Sequence, residues 1–108
     1  MTTPEGKVKE SIRKMLTKYN VYFFMPVQMG LGAAGLDFHC VVFSALHNMP
    51  LPFMVEAKAP GKVPTSRQEV LIGKLRKEYQ CKVFIISTEP ELKQLESWLL
   101  ILQKKVVK

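Results

Sequence analysis

The chain has 108 residues, a formal net charge of +7, 47% hydrophobic residues and 23% charged residues. That length makes one domain, residues 1–108, with enough chain for a single core and none for separate catalytic and binding domains. The composition excludes a disordered tail, and two cysteines, Cys40 and Cys81, both within apolar runs, exclude a disulfide framework and fit a reducing cytoplasmic setting.

Taken in chain order, residues 4–19 repeat Val8, Ile12, Met15, Leu16 and Tyr19 at helical spacing, with Thr2-x-x-Glu5 as a capping box and Pro4 in the first turn. Residues 21–27 are aromatic and β-branched and predict a strand. Residues 29–35 hold three glycines and read as a loop. Residues 36–44 predict a second strand whose one charge is Asp37, and residues 46–52, with Asn48, Pro50 and Pro52, a hairpin turn. A third strand covers residues 53–58 and a loop residues 60–64.

A helix over residues 66–79 opens with Ser66-x-x-Glu69, and residues 81–87 predict a buried strand. Thr88-x-x-Glu91 caps a last helix carrying Leu92, Leu95, Trp98, Leu99, Leu100, Ile101 and Leu102. The order α-β-β-β-α-β-α predicts an α/β domain: a mixed sheet flanked by helices on both faces, with a parallel, right-handed β-α-β unit over residues 53–87. The start of the chain has no signal-like apolar region. The longest uncharged stretch, residues 21–36, is broken by Pro26, Gln28, Gly30, Gly32 and Gly35, so no membrane partner is expected. The last helix is apolar on more than one face, which predicts either a sandwiched helix or a dimer contact.

Three charges interrupt this pattern. Strand side chains alternate faces, so Glu56 and Lys58 point one way and Ala57 the other. Asp37 stands alone at the start of an apolar strand. Burying carboxylates costs several kcal/mol unless something positive compensates. Two acids converging at strand ends make a hard-oxygen pocket suited to Mg²⁺ or Mn²⁺. The plainer alternative is a buried ion pair in which Lys58 neutralises one acid.

The ordered set Glu5, then Gly35-Leu36-Asp37, then Glu56-Ala57-Lys58, then Thr65-Ser66-Arg67-Gln68 resembles the VRR-Nuc family of the PD-(D/E)XK nuclease superfamily. The likeness runs from about residue 5 to about residue 88. Leu36 departs from it, standing where the family has proline. The resemblance implies a restriction-endonuclease-like αβββαβ core with a C-terminal helix and metal-dependent hydrolysis of phosphodiesters in branched DNA such as four-way (Holliday) junctions. It also implies a stand-alone, homodimeric enzyme of phage or bacterial type.

The residue roles follow from the same likeness. Asp37, Glu56 and the Ala57 carbonyl would hold Mg²⁺ or Mn²⁺, with Glu5 nearby. Lys58 would ready the attacking water or offset charge on the phosphate, and Gln68 would line the site. Glu5 shares a stripe with Val8 and Ile12, and Gln68 with Ile72, Leu75 and Tyr79. Each has a plainer alternative, as a capping residue or as a partner for unsatisfied helix N–H groups.

His39 shares the face of Asp37 in a regular strand, as a hydrogen-bonding neighbour of the site or as a structural residue. No Cys/His spacing supports zinc, and no glycine-rich fingerprint supports an organic cofactor. Between Lys58 and Lys82 seven bases face two acids. Lys62 and Arg67 flank the site and are candidate DNA-phosphate contacts, which position a duplex without reading sequence. Two other functions remain open: a flap- or nick-directed nuclease, and a non-catalytic basic DNA-binding module.

Overall fold

Strict alternation builds the centre of the molecule. From Phe38 to Ser44 every second side chain is buried and the others are exposed. The computed structural model, which describes residues 3–26 and 35–104, sets this strand in the order α1 (Pro4–Lys18), β1 (Tyr22–Phe24), β2 (Phe38–Ser44), β3 (Met49–Ala57), α2 (Ser66–Lys77), β4 (Lys82–Ile86) and α3 (Glu89–Gln103). The sheet order is β1-β2-β3-β4. The first two pairings are antiparallel, and β3 runs parallel to β4 across α2. This is the mixed-sheet αβββαβ core with a C-terminal helix that the element order predicts.

The two faces are covered by different helices. Phe38, Cys40, Val42, Phe53, Val55, Ala57 and Ile86 pack with Ile12 and Leu16 of α1 and with Leu92, Leu95, Leu99 and Leu102 of α3. On the other face Leu36 and Val83 pack with Ile72 of α2. Each large side chain removed from water contributes roughly 1.5–3 kcal/mol. Trp98 completes the main core, its ring centroid 5.0 Å from Phe53 and 5.3 Å from Phe84. Helix α3 is therefore not sandwiched: its buried stripe meets the sheet, while Leu100 and Ile101 are exposed.

Several boundaries differ from the sequence expectation, each for a local reason. Strand β3 begins at Met49, so Pro50 and Pro52 lie in the strand and not in the turn. They are tolerated because β4 pairs with β3 only from Phe53 onward, so a missing N–H on that flank removes no ladder bond. The turn occupies residues 45–48, where Asn48 takes the left-handed conformation with φ 55°. Asparagine adopts that conformation more readily than most residues.

At α2 the cap is Thr65. Its hydroxyl accepts from the Gln68 N–H and the Gln68 side chain accepts from the Thr65 N–H, in place of Ser66 with Glu69. At α1 the cap is Thr3, which accepts from the Gly6 N–H at 3.0 Å. Thr2, Val27 and most of the glycine-rich loop lie outside the described residues. Helix α3 starts as expected, with Glu91 accepting from the Thr88 N–H at 2.8 Å. Hydrogen bonds from Ser87 and Thr88, the Ser87 N–H first, hold the Glu91 carboxyl below its usual pKa against the opposing effect of burial. No helix among the described residues is long and apolar enough to cross a membrane.

Phe53 is fully buried between the sheet and Trp98, whereas Val70 on α2 is 73% exposed. Phe53→Ala should cost about 3–5 kcal/mol in urea unfolding, and Val70→Ala less than about 0.5 kcal/mol. Equal costs would contradict this placement of the core.

Candidate functional site

The alternation along β3 sends Phe53, Val55 and Ala57 toward α1 and α3, and turns Glu56 and Lys58 to the α2 side. Glu56 is only 2% exposed. An isolated carboxylate at that depth would be costly, and the surrounding groups answer it. Its Oε1 accepts the Asp37 N–H at 3.0 Å, and its Oε2 accepts the Gln68 amide Nε2 at 2.6 Å. Lys58 Nζ lies 3.2 Å from the same Oε2, with both side chains nearly buried.

Asp37 is held in return. Its Oδ2 accepts the Ala57 N–H at 2.9 Å. The backbone of each acid's segment thus binds the other's side chain, because Asp37 sits in a bend just before β2 pairs with β3. The Lys58 N–H binds the Ile86 carbonyl at 2.9 Å on the β4 flank. Ala57, one residue earlier in the strand, therefore turns its N–H and its carbonyl to the opposite flank, where Asp37 lies. Two carboxylates and one backbone carbonyl converge at the carboxyl ends of parallel β3 and β4, a position where open α/β sheets commonly place ligands.

Helix α1 brings a second cation. Lys9 Nζ lies 3.4 Å from Asp37 Oδ1 and 3.5 Å from Glu5 Oε2. Burial works against the Lys9 ammonium, but Asp37 and Glu5 outweigh it and raise its pKa. For Glu56, loss of hydration comes first and the nearby Asp37 charge second; Lys58 and the backbone hydrogen bond oppose both, leaving its pKa raised to about 7. Burial, with the neighbouring carboxylate second, thus outweighs what the cations at the pair contribute.

Asp37, Glu56, Lys58 and Gln68, the residues singled out from sequence, come together. Gln68 fulfils both of its readings, since its side-chain oxygen caps α2 while its amide nitrogen binds Glu56. Glu5 reaches the pair only through Lys9. Lys62 and Arg67 are exposed on the β3–α2 loop and the first turn of α2. His39 is not a neighbour of the site: it lies exposed on the outer sheet surface against Phe24. Lys9 is the site residue that sequence reasoning missed. Its readable signal is the i,i+4 spacing from Glu5, which puts both on one helix face.

Among the described residues no group of three or more His, Cys, Asp and Glu side chains is placed to hold a metal ion. The donors fit a site of a leaner kind. Mg²⁺ commonly takes one or two carboxylates and completes its shell with water and substrate phosphate. Asp37, Glu56 and the Ala57 carbonyl are hard oxygens of that type, and a cation would offset both the burial and the Asp37 repulsion that raise the Glu56 pKa. A cavity of about 300 Å³ near the start of α1 is lined by Val8, Ser11, Ser87 and Leu92 among others, and includes neither Asp37 nor Glu56. Comparison with protein-family models, curated proteins and solved structures finds no match to the chain.

The Glu56 shift has a definite sign for stability. The folded protein loses this proton near pH 7 and the unfolded chain near 4.5, so between them the folded state holds the extra proton. The stabilising contribution is complete below pH 4.5 and is lost as pH rises through 7. In metal-free buffer the urea midpoint should be lower at pH 8 than at pH 5, and Glu56→Gln should flatten that difference. A pH dependence unchanged by Glu56→Gln would contradict the assignment.

Proposed function

We propose that the protein is a divalent-metal-dependent endonuclease of the VRR-Nuc type, hydrolysing phosphodiester bonds in branched DNA such as four-way junctions. The observation that carries this reading is the interlocked Asp37–Glu56 pair with Lys58 Nζ 3.2 Å from Glu56. Asp37, Glu56 and the Ala57 carbonyl would hold Mg²⁺ or Mn²⁺. Such an ion, when bound, polarises a phosphoryl oxygen and lowers the pKa of water.

The remaining work falls to the chain's own groups. Lys58 places a fixed positive charge beside the acids, where it offsets charge building on the phosphate and orients the attacking water. The Gln68 amide holds Glu56 in one orientation from the start of α2. Lys62 and Arg67 contact backbone phosphates and set the duplex against the site. The net charge of +7 supports a polyanion as substrate.

A second reading has its own observation. All four carboxylate oxygens of Asp37 and Glu56 already have protein partners, as in a structural ion network within a basic DNA-binding module. Cleavage separates the two. With Mg²⁺ or Mn²⁺ and a synthetic four-way junction, the parent should cut, and Asp37→Ala and Lys58→Ala should each lose at least about 100-fold in rate. Binding to the junction should change little and should weaken steeply with salt in all three proteins. Variants that cut as well as the parent would refute this site, and a parent that binds without cutting would favour the module.

A further inference from the structure

The oxygens of the acid pair are not all held alike. Asp37 Oδ2 accepts the Ala57 N–H, Glu56 Oε1 the Asp37 N–H and Glu56 Oε2 the Gln68 amide. Those donors are fixed by the strand backbone and by the capping residue of α2. Asp37 Oδ1 meets a partner of another kind, the Lys9 ammonium at 3.4 Å. That ammonium stands on a flexible four-carbon stem, and the Lys9 side chain is 33% exposed. It is also shared, because Glu5 Oε2, one helical turn earlier, lies 3.5 Å from the same Nζ. A cation on a flexible stem, partly in water and set between two carboxylates, can leave one of them without being stranded.

We propose that Lys9 is a displaceable counter-ion of the acid pair, holding Asp37 Oδ1 until a divalent cation is taken up and then withdrawing to Glu5. The inference rests on the reading of Asp37 and Glu56 as a cation site and adds to it how that site is regulated. Lys58 is the fixed charge by comparison: its side chain is only 12% exposed and starts on the same strand as Glu56.

Electrostatics gives the consequence. An ammonium and a doubly charged ion competing for one oxygen repel strongly even with partial solvent screening. Lys9 therefore lowers the affinity of the acids for a divalent cation and sets the concentration at which the site loads. Glu5 acquires a definite part as well. It acts through Lys9, as a positioning residue that offers the ammonium a second carboxylate, and not as a neighbour of the ion.

Calorimetric titration of Mn²⁺ into the metal-free protein, with circular dichroism to check folding, tests this. Lys9→Met keeps the apolar stem and removes the charge. It should bind Mn²⁺ at least about 10-fold more tightly than the parent, and a given Mn²⁺ concentration should raise its urea midpoint by more. The direction is diagnostic, since damage to α1 or to the strand ends weakens binding. If Lys9→Met does not fold, Lys9→Gln carries the same expectation. Lys14→Met, which removes an exposed charge elsewhere on α1, should change the affinity by less than about 2-fold. Glu5→Gln should weaken binding at least about 3-fold in the parent background and by less than about 2-fold in Lys9→Met, the non-additivity of residues that act through one another.

A folded Lys9→Met protein that binds Mn²⁺ no more tightly than the parent overturns the proposal and leaves the cation site standing. A Glu5→Gln effect undiminished in Lys9→Met makes Glu5 a direct neighbour of the ion and overturns the withdrawal to Glu5. A parent without saturable Mn²⁺ binding removes the cation site itself, and the proposal with it.

Discussion

Two carboxylates held by each other's backbone form the constraint on which the rest of this molecule depends. Glu56 accepts the N–H of Asp37 and Asp37 accepts the N–H of Ala57. This exchange ties the start of β2 to the end of β3 at a point where the ladder has already finished. It also fixes two like charges close together in a largely dry environment, which neither acid would occupy alone. Everything nearby answers that concentration of charge: Lys58 on the same strand face, Gln68 from α2, and Lys9 from α1. Helices on opposite faces of the sheet therefore converge on one end of it.

The fold sustains this arrangement by keeping the apolar core apart from the polar network. The apolar core lies between the sheet and α1 with α3, where Phe38, Phe53, Leu95 and Leu99 are fully buried. The polar network occupies the strand ends. The parallel β3–β4 pairing is what leaves the network room, because the crossover through α2 brings a helix N-terminus and its capping residue over Glu56. A hairpin in that place would have closed the strand ends with a short turn.

Much of this was legible in the residues. Alternation and helical spacing located every element, and the misfit of Asp37, Glu56 and Lys58 with an apolar pattern pointed to side chains that the structure brings together. What was not legible has physical causes. Pro50 and Pro52 read as a turn because proline breaks a ladder, and only the short reach of β4 shows that no ladder bond is lost. The caps moved to Thr3 and Thr65 because neighbouring Thr and Ser residues offer equivalent hydroxyls, and the choice between them is made by backbone geometry. Lys9 was hidden because a lysine on an amphipathic helix is ordinarily solvated; its second carboxylate partner, Asp37, is 28 residues away in sequence.

The central claim is that the Asp37–Glu56 pair is a cation site and not a closed ion network. Calorimetric titration of Mn²⁺ into the metal-free protein tests it without substrate. The predicted result is one saturable site of millimolar affinity or tighter, abolished by Asp37→Asn and by Glu56→Gln in proteins that remain folded. No saturable binding by the parent, or binding that survives both substitutions, would contradict it.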